Sequence, residues 1–471
     1  MGKIWATTTL ASVLVLAMAA CARFEPRSLS PAQTASDFEK RSLDNPKLKE
    51  FLETNLNRKF SAWPATSWDF SMLTLAALYY HPELDVARAQ WQVAQAAIIT
   101  AGAIPNPTVG AAPGFTANPI GGVSPLLYGF FLDNPIETAG KRGYRLDKAT
   151  HLSSAARLNI AVTAWQVRSR LRAGLLDLYL AKQTETLLYR QEAMLEKLVK
   201  LLAARLEQGE IPRPEVTQAQ IALNQGRLSL QEARKQLAQN RVKLAQALGL
   251  PLSALKGIDI SFSFLKHPPA PLPSREVARQ ALLNRPDILA ALSEYEAAQS
   301  ALQLEIARQY PDIHLGPGYN FDDSENKWKF GLSVTLPVYN RNQGPIAEAE
   351  ARRHEVAARF TALQARVMGE INQALAGYRE ALRKLKTAEA LLAAEKTQEE
   401  SAQARFKAGE TDRLALLSAR LVLETANLSR VKAFYQAQQA LGLLEDAIKS
   451  PLGPSGWIPV ALEANREKSD R

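Results

Sequence analysis

From Val356 to Leu385 the apolar residues Val356, Phe360, Leu363, Val367, Ile371, Leu375, Tyr378, Leu382 and Leu385 stand among charged and small ones. Their mean spacing, about 3.6, marks one stripe along an α-helix. This helical run extends from about Pro345 to Phe406, where Gly409 breaks it, and a last helix follows from about Leu414 to Ile448. Upstream, Arg275 to Arg308 is also helix-like, with Ser274 as its cap. Between these helices the period falls to two. Ile313, Leu315, Tyr319 and Phe321 alternate with His314, Gly316, Gly318 and Asn320, and Trp328, Phe330, Leu332, Val334 and Leu336 alternate with polar or small residues. The polar stretch Asp322–Asn326 between them predicts a turn, and the whole predicts a hairpin with one apolar face.

The first half of the chain repeats this order. His81-Pro82-Glu83-Leu84 matches Arg285-Pro286-Asp287-Ile288, and Pro107-Thr108-Val109 matches Pro311-Asp312-Ile313. Asn134-Pro135-Ile136 matches Leu336-Pro337-Val338, Gly209-Glu210 matches Gly409-Glu410, and Ala247-Leu248-Gly249-Leu250 matches Ala440-Leu441-Gly442-Leu443. Landmarks in one order with a slowly drifting offset indicate an internal duplication. The elements predicted are a helix over Leu73–Ala101, a poorer hairpin over Thr108–Asp133, a long helix over Leu146–Leu206, and a helix opened by Pro212 and Pro214 and closed at Gly249. Each half therefore holds one helix of about 60–70 residues, roughly 100 Å long, flanked by two helices of about half that length. A chain folded at Gly209 and Gly409 makes a tall antiparallel bundle with both hairpins at the far end.

Composition changes the picture little. The 471 residues are 46% hydrophobic, mostly through Ala and Leu, and 22% charged, which excludes a disordered tail and a polytopic helical membrane protein. The net charge of +10 is spread along helices rather than gathered in a patch, which argues against nucleic acid as a partner.

The amino terminus is more informative. Met1-Gly2-Lys3 precedes an uncharged, mainly apolar run from Ile4 to Ala20, and Cys21, the one cysteine, follows small residues. This predicts a signal peptide over 1–20. Leu16–Cys21 resembles a bacterial lipobox with Met18 at a position usually held by Leu, so Cys21 is the expected lipidation site. Residues 21–70 read as an N-terminal linker with little core of its own, 71–255 as the first repeat, 256–272 as a linker, 273–449 as the second repeat and 450–471 as a tail. Within the repeats the hairpins are expected at 108–133 and 312–337 and the tip turns at 207–212 and 407–412.

The search for reactive chemistry gives no catalytic residue, metal site or cofactor. His81, His151, His267, His314 and His354 form no pair at metal-ligand spacing, and a single cysteine permits neither an intrachain disulfide nor a thiolate cage. Gly140-Lys141-Arg142 is not a phosphate loop, since Pro135 stands where its first Gly is needed and Arg142 replaces Ser or Thr; it reads as a charged interfacial turn. The chain is not expected to be an enzyme.

The strands carry the functional argument. Nine or so residues with alternate apolar positions are what a tilted strand needs to cross a bilayer. Hydrocarbon does not tolerate unpaired strand edges, so such a sheet must close. Two hairpins give four strands, while the smallest bacterial barrels need about eight, so the membrane part would be shared among subunits. The rival is a non-pore periplasmic coiled coil, an adaptor or structural lipoprotein whose small sheet caps a helical stalk.

From about Thr74 to Ile448 the chain resembles the TolC-like outer-membrane factor family. The duplicated order of helix, hairpin, long helix, turn and helix carries the resemblance. So do the tips, Arg205, Gly209, Glu215, Val216 and Ala219 in one half and Arg405, Gly409, Leu416 and Ala419 in the other, where Ala415 replaces the acid. Asn106-Pro107-Thr108, Ala139–Arg142 and Leu336–Gly344 look like the branch serving heavy-metal or related resistance-nodulation-division pumps.

The resemblance implies a mainly α protein with a small β part: a homotrimer whose twelve-stranded outer-membrane β-barrel, seated in outer-membrane lipid, continues into a long periplasmic α-helical barrel. It implies the exit duct of a tripartite efflux system, served by a periplasmic adaptor and, through it, an inner-membrane pump. A type I secretion duct is the alternative within the family. Gln208, Gly209, Glu210, Ala408, Gly409 and Glu410 become the expected adaptor contacts. Some relatives carry carboxylate rings six and nine residues after the second tip Gly, where this chain has Ala415 and Ser418. Arg213, Glu215, Asp412 and Arg413 are therefore the expected gate residues.

Overall fold

A computed structural model describes residues 24–119, 121–265, 279 and 282–452. Cys21, the segment 1–20, the linker from 266 onward and the tail from 453 onward lie outside the described residues. Residues up to Ser42 form a small unit of their own. Its described residues hold one helix, α1 (Pro31–Glu39), which is capped by Ser30 and buries no residue. The second unit begins at Leu43.

The helices are α2 (Pro46–Leu56), α3 (Phe70–Tyr80), α4 (Pro82–Gly102), α5 (Lys141–Glu207), α6 (Arg213–Leu248), α7 (Pro286–Ala307), α8 (Gln343–Lys407) and α9 (Arg413–Ile448). The strands are β1 (Ser67–Trp68), β2 (Thr108–Phe115), β3 (Leu126–Ile136), β4 (Asp259–Ile260), β5 (Ile313–Asp322) and β6 (Glu325–Val334). The helix expected over 73–101 is two helices. His81 takes extended backbone (φ −72°, ψ 119°) ahead of Pro82, because a proline ring crowds the residue before it out of the helical region. Arg285 ahead of Pro286 does the same (φ −64°, ψ 130°), so the matched dipeptides mark helix starts in both repeats.

Residues 43–70 are not the coreless linker expected. Leu43, Leu48, Leu52 and Trp68 are fully buried in a core shared with α3, α5 and α6, where Leu73, Leu171, Leu175, Leu244 and Leu248 close on them. Each such leucine contributes about 1.5–3 kcal/mol by leaving water. A second core lies at the matching level of the second repeat, with Ile288, Val367, Ile371, Tyr378, Leu441 and Leu444.

The helices form a layer. α5 packs on α3, α4, α6, α7 and α9, whereas α8 packs only on α7 and α9 to any extent. Burial follows this placement. α5 buries residues along most of its length, from Lys141 to Leu202. α8, nearly as long, buries only Val367, Ile371, Tyr378 and Leu385. α8 thus lies at one border of the layer, with most of its surface uncovered.

The four long strands form one antiparallel sheet in the order β2-β3-β5-β6. Its two borders, β2 and β6, carry no further strand among the described residues. The β5–β6 turn is tighter than expected: Asp322 pairs with Glu325, leaving Asp323 and Ser324 at positive φ (53° and 62°). That is the two-residue hairpin turn whose twist suits adjacent strands. The first hairpin runs on to Ile136, three residues past its expected end. Ser124 donates its amide to Ser324 Oγ at 2.8 Å, tying the two hairpin ends together.

Candidate functional site

The registers sort the sheet into two faces. Val109, Ala111, Pro113 and Phe115 pair across with Leu132, Phe130, Tyr128 and Leu126. Leu315, Pro317 and Tyr319 pair with Leu332, Phe330 and Trp328. All these side chains share one face, because strand neighbours alternate and paired residues point the same way. Trp328 and Phe330 on it are 79% and 73% exposed. The opposite face carries Gly110, Ala112, Gly129, Gly316, Gly318, Asn320, Lys327, Lys329 and Ser333. An apolar face this exposed beside a small and polar one is the pattern of a strand with lipid on one side and water on the other. Among the described residues no helix is long and apolar enough to cross a membrane.

Sheet and helices meet through charge. Lys141 Nζ donates to Tyr310 O at 2.6 Å and pairs with Asp312 Oδ1 at 2.7 Å, and Arg142 Nε donates to Gly102 O at 2.7 Å. Arg145 forks onto Glu137. The Gly140-Lys141-Arg142 stretch therefore ties the first residues of α5 to the ends of α4 and α7 and to the strand starts.

At the other end of the long helices the two tips are built alike. Gly209 N donates to Leu206 O at 3.0 Å and Glu210 N to Arg205 O at 2.9 Å; Gly409 N and Glu410 N do the same to Phe406 O and Arg405 O at 3.1 and 2.9 Å. Both glycines sit at positive φ, 73° and 75°, the left-handed conformation that ends helices and that only glycine adopts without strain. Gln208, Gly209, Glu210, Ala408, Gly409 and Glu410 are all exposed.

The four expected gate residues do not assemble with one another within a chain. Asp412 caps α9, accepting from Ala415 N at 2.8 Å. Its other oxygen takes Arg205 Nη2 at 2.8 Å. The Ala415 amide, followed by the Arg205 guanidinium, holds the Asp412 carboxyl below its ordinary value. Arg413 turns instead to a groove of about 840 Å³ between α5, α8 and α9, in the company of Lys197, Lys200, Lys407 and Arg420. Arg213 and Glu215 open α6 beside Pro212. In the sequence Arg205 stands only as part of the tip pattern. Its position four residues ahead of Gly209, facing the start of the other repeat's last helix, is what makes it the partner.

A buried charge cluster went unread. Arg168 and Arg172 of α5 both reach Glu445 Oε2 of α9, at 3.5 and 3.4 Å. Arg172 also donates to Gln438 O at 2.8 Å and Trp165 Nε1 to Asp446 Oδ1 at 2.8 Å. A Cβ on Gly442 would stand 2.3 Å from Arg172 Nη1, so the glycine makes room for the guanidinium. The signal was available as two arginines four apart on the apolar side of a helix.

An exposed apolar sheet face, a long helical layer and two glycine tips built alike are the features this fold brings together. The outer membrane efflux protein family model matches residues 74–250 and 277–448, and the chain belongs to that family. The chain is 24% identical over 312 residues, 65% of its own length and 73% of the relative's, to the cobalt-zinc-cadmium resistance protein CzcC of Cupriavidus metallidurans. Its fold is that of the outer-membrane protein VceC of Vibrio cholerae (TM-score 0.65, 21% identity, 81% of this chain and 96% of that one). The outer-membrane channel OprN shares it too (TM-score 0.67, 18% identity, 93% of this chain and 99% of that one). The protein is an outer-membrane efflux protein, and the non-pore coiled-coil alternative is set aside.

Proposed function

We propose that three copies of this chain close their open sheets into one twelve-stranded barrel and their helical layers into one periplasmic tube. Cargo crosses this duct passively after an inner-membrane pump and a periplasmic adaptor deliver it. The sheet carries this reading: four strands with an exposed apolar face and two free borders. Unpaired backbone in hydrocarbon costs several kcal/mol per group, so β6 of one copy must meet β2 of the next. The scant burial of α8 points the same way.

The exposed glycine tips offer the adaptor a close backbone approach. The groove rimmed by Lys197, Lys200, Lys407 and Arg413 suits an acidic face on it. Arg205 and Asp412 hold the two tips of one copy together and act as the resting latch. Cys21, acylated, adds an outer-membrane anchor. Likeness to CzcC supports a metal-resistance setting, with metal ions as cargo selected by the pump.

Single-channel recording in planar lipid bilayers tests the duct. The purified full-length protein gives discrete, long-lived conductance steps if the sheets close around a bore. Bilayers that stay silent at protein levels sufficient for insertion would overturn the reading.

A further inference from the structure

A second cleft, of about 570 Å³, lies where the first repeat ends. Helix α6 stops at Gly249 (φ 69°), and the chain turns again at Gly257 (φ 75°) before β4 pairs with β1. Both turns use the left-handed backbone that glycine adopts without strain. The returning segment 252–262 forms one wall of the cleft, and α5 with α6 forms the other. In the lining, Leu178 and Leu244 are buried, and Leu255, Ile260 and Phe262 pack against the same core. Tyr179 and Phe262 bring the two walls together, with ring centroids 5.5 Å apart. Asn240 Nδ2 donates to Asp177 O at 3.1 Å and braces the α5–α6 side.

Charge sits on the rim of this apolar floor. Lys182 of α5, Arg241 of α6 and Lys256 of the returning segment line the cleft and are exposed, against one lining carboxylate, Asp259. None of the three cations pairs with a carboxylate among the described residues. Further along the same seam Arg234 reaches Glu185 at 3.6 Å and Arg227 reaches Glu192 at 3.2 Å. Long cationic side chains lay their stems on apolar surface and keep their heads in water. The volume lies within the range of small-ligand sites, about 300–1,000 Å³, where an apolar lining is joined by a few orienting polar groups. The adjoining sequence 266–278 does not complement the rim, since it brings Lys266 and Arg275 against one acid, Glu276.

The geometry points to a binding site for long-chain fatty acids in this cleft. The acyl chain lies on the leucine floor between α6 and the returning segment. The carboxylate takes charge-assisted hydrogen bonds from the rim, where Lys182, Arg241 and Lys256 have no acid of their own. A neutral amphiphile of the same length satisfies the floor but not the rim. The site belongs to a single chain and goes beyond the duct reading, so it holds whether or not the sheets close.

Photolabelling of the full-length protein in lipid nanodiscs tests it, with a dodecanoate carrying a diazirine on its chain as the probe and peptide mass spectrometry as the readout. Label should saturate on the peptides holding Leu237–Leu244 and Leu252–Phe262. Unlabelled laurate should displace it, and dodecanol should compete far less. Arg241→Glu with Lys256→Glu, changes at exposed side chains, should lower that label about three- to tenfold, the scale of exposed charge pairs lost and reversed. Ala238→Trp, which fills the cleft from the exposed side of α6, should lower it as well. Circular dichroism melting confirms that both variants remain folded. Label that spreads without saturating, dodecanol that competes as well as laurate, or folded variants with unchanged label would each overturn the site. None of these results bears on channel conductance, so the duct stands or falls separately.

Discussion

Arg205 in the last turn of α5 donates to Asp412 at the start of α9, Nη2 to Oδ2 at 2.8 Å, across 207 positions of sequence. This ionic contact joins the tip of one repeat to the tip of the other. Asp412→Ala is expected to raise the open probability of single channels at neutral pH. Asp412→Asn, which can still cap α9 through its amide oxygen, separates the latch from the cap. Asp412→Asn changes stability by less than about 1 kcal/mol, since exposed pairs contribute little, whereas Asp412→Ala also loses the α9 cap, worth about 0.5–2 kcal/mol. The carboxyl titrates below its usual 3.8. A depressed acid contributes fully above its unfolded value and loses that contribution as pH falls through the folded one. Open probability should therefore stay flat from neutral pH to about 4 and rise only in stronger acid. A rise between pH 7 and 5 would assign the latch elsewhere.

The tip glycines have nothing within 4 Å of where a Cβ would stand, so a side chain fits in space but not in backbone angle. Left-handed backbone costs a non-glycine residue about 1–2 kcal/mol. Gly209→Trp with Gly409→Trp should abolish co-purification with the adaptor while trimers persist on unheated gels. Retained adaptor alongside intact trimers would dismiss the tips as docking points.

Glu445 is 4% exposed and serves two buried guanidiniums. Glu445→Ala leaves both uncompensated and should destabilise the folded protein by about 3–5 kcal/mol. Gly442→Ala, which crowds Arg172, should lower the melting temperature for a different reason, loss of space. Circular dichroism melting in detergent reads both, and a Glu445→Ala melt within a degree or two of wild type would contradict the role given to the cluster.

Tyr378 and Tyr435 are each pushed up to about 12, chiefly by burial, with Asp177 adding to it at Tyr435. An acid whose folded value exceeds its unfolded one stabilises below the unfolded value, here 10.0, and loses that contribution as pH rises through the folded one. Ultraviolet titration should show these two ionising last, and thermal stability should fall between about pH 10 and 12. Phe substitution at Tyr378 should remove part of that fall.

The repeat, the hairpins and both tips were legible because each leaves a periodic or punctuating mark: period 3.6 in α8, period two in β5 and β6, glycine at 209 and 409. The helix breaks at Pro82 and Pro286 leave a mark in the proline itself, but the helical pattern on either side reads on across it. Residues 43–70 misled because short apolar clusters around Leu48, Leu52 and Trp68 have no period long enough to detect. Long-range pairings such as Arg205 with Asp412, or Arg172 with Glu445, depend on how two repeats face each other. No local pattern encodes that.

One chain leaves its sheet unfinished, with β2 and β6 at open borders among the described residues. Native mass measurement of the full-length protein extracted from the outer membrane tests it most directly. Three copies per particle is the result expected. Single copies, with the β2 and β6 borders paired to each other or covered by the chain's own helices, would contradict it.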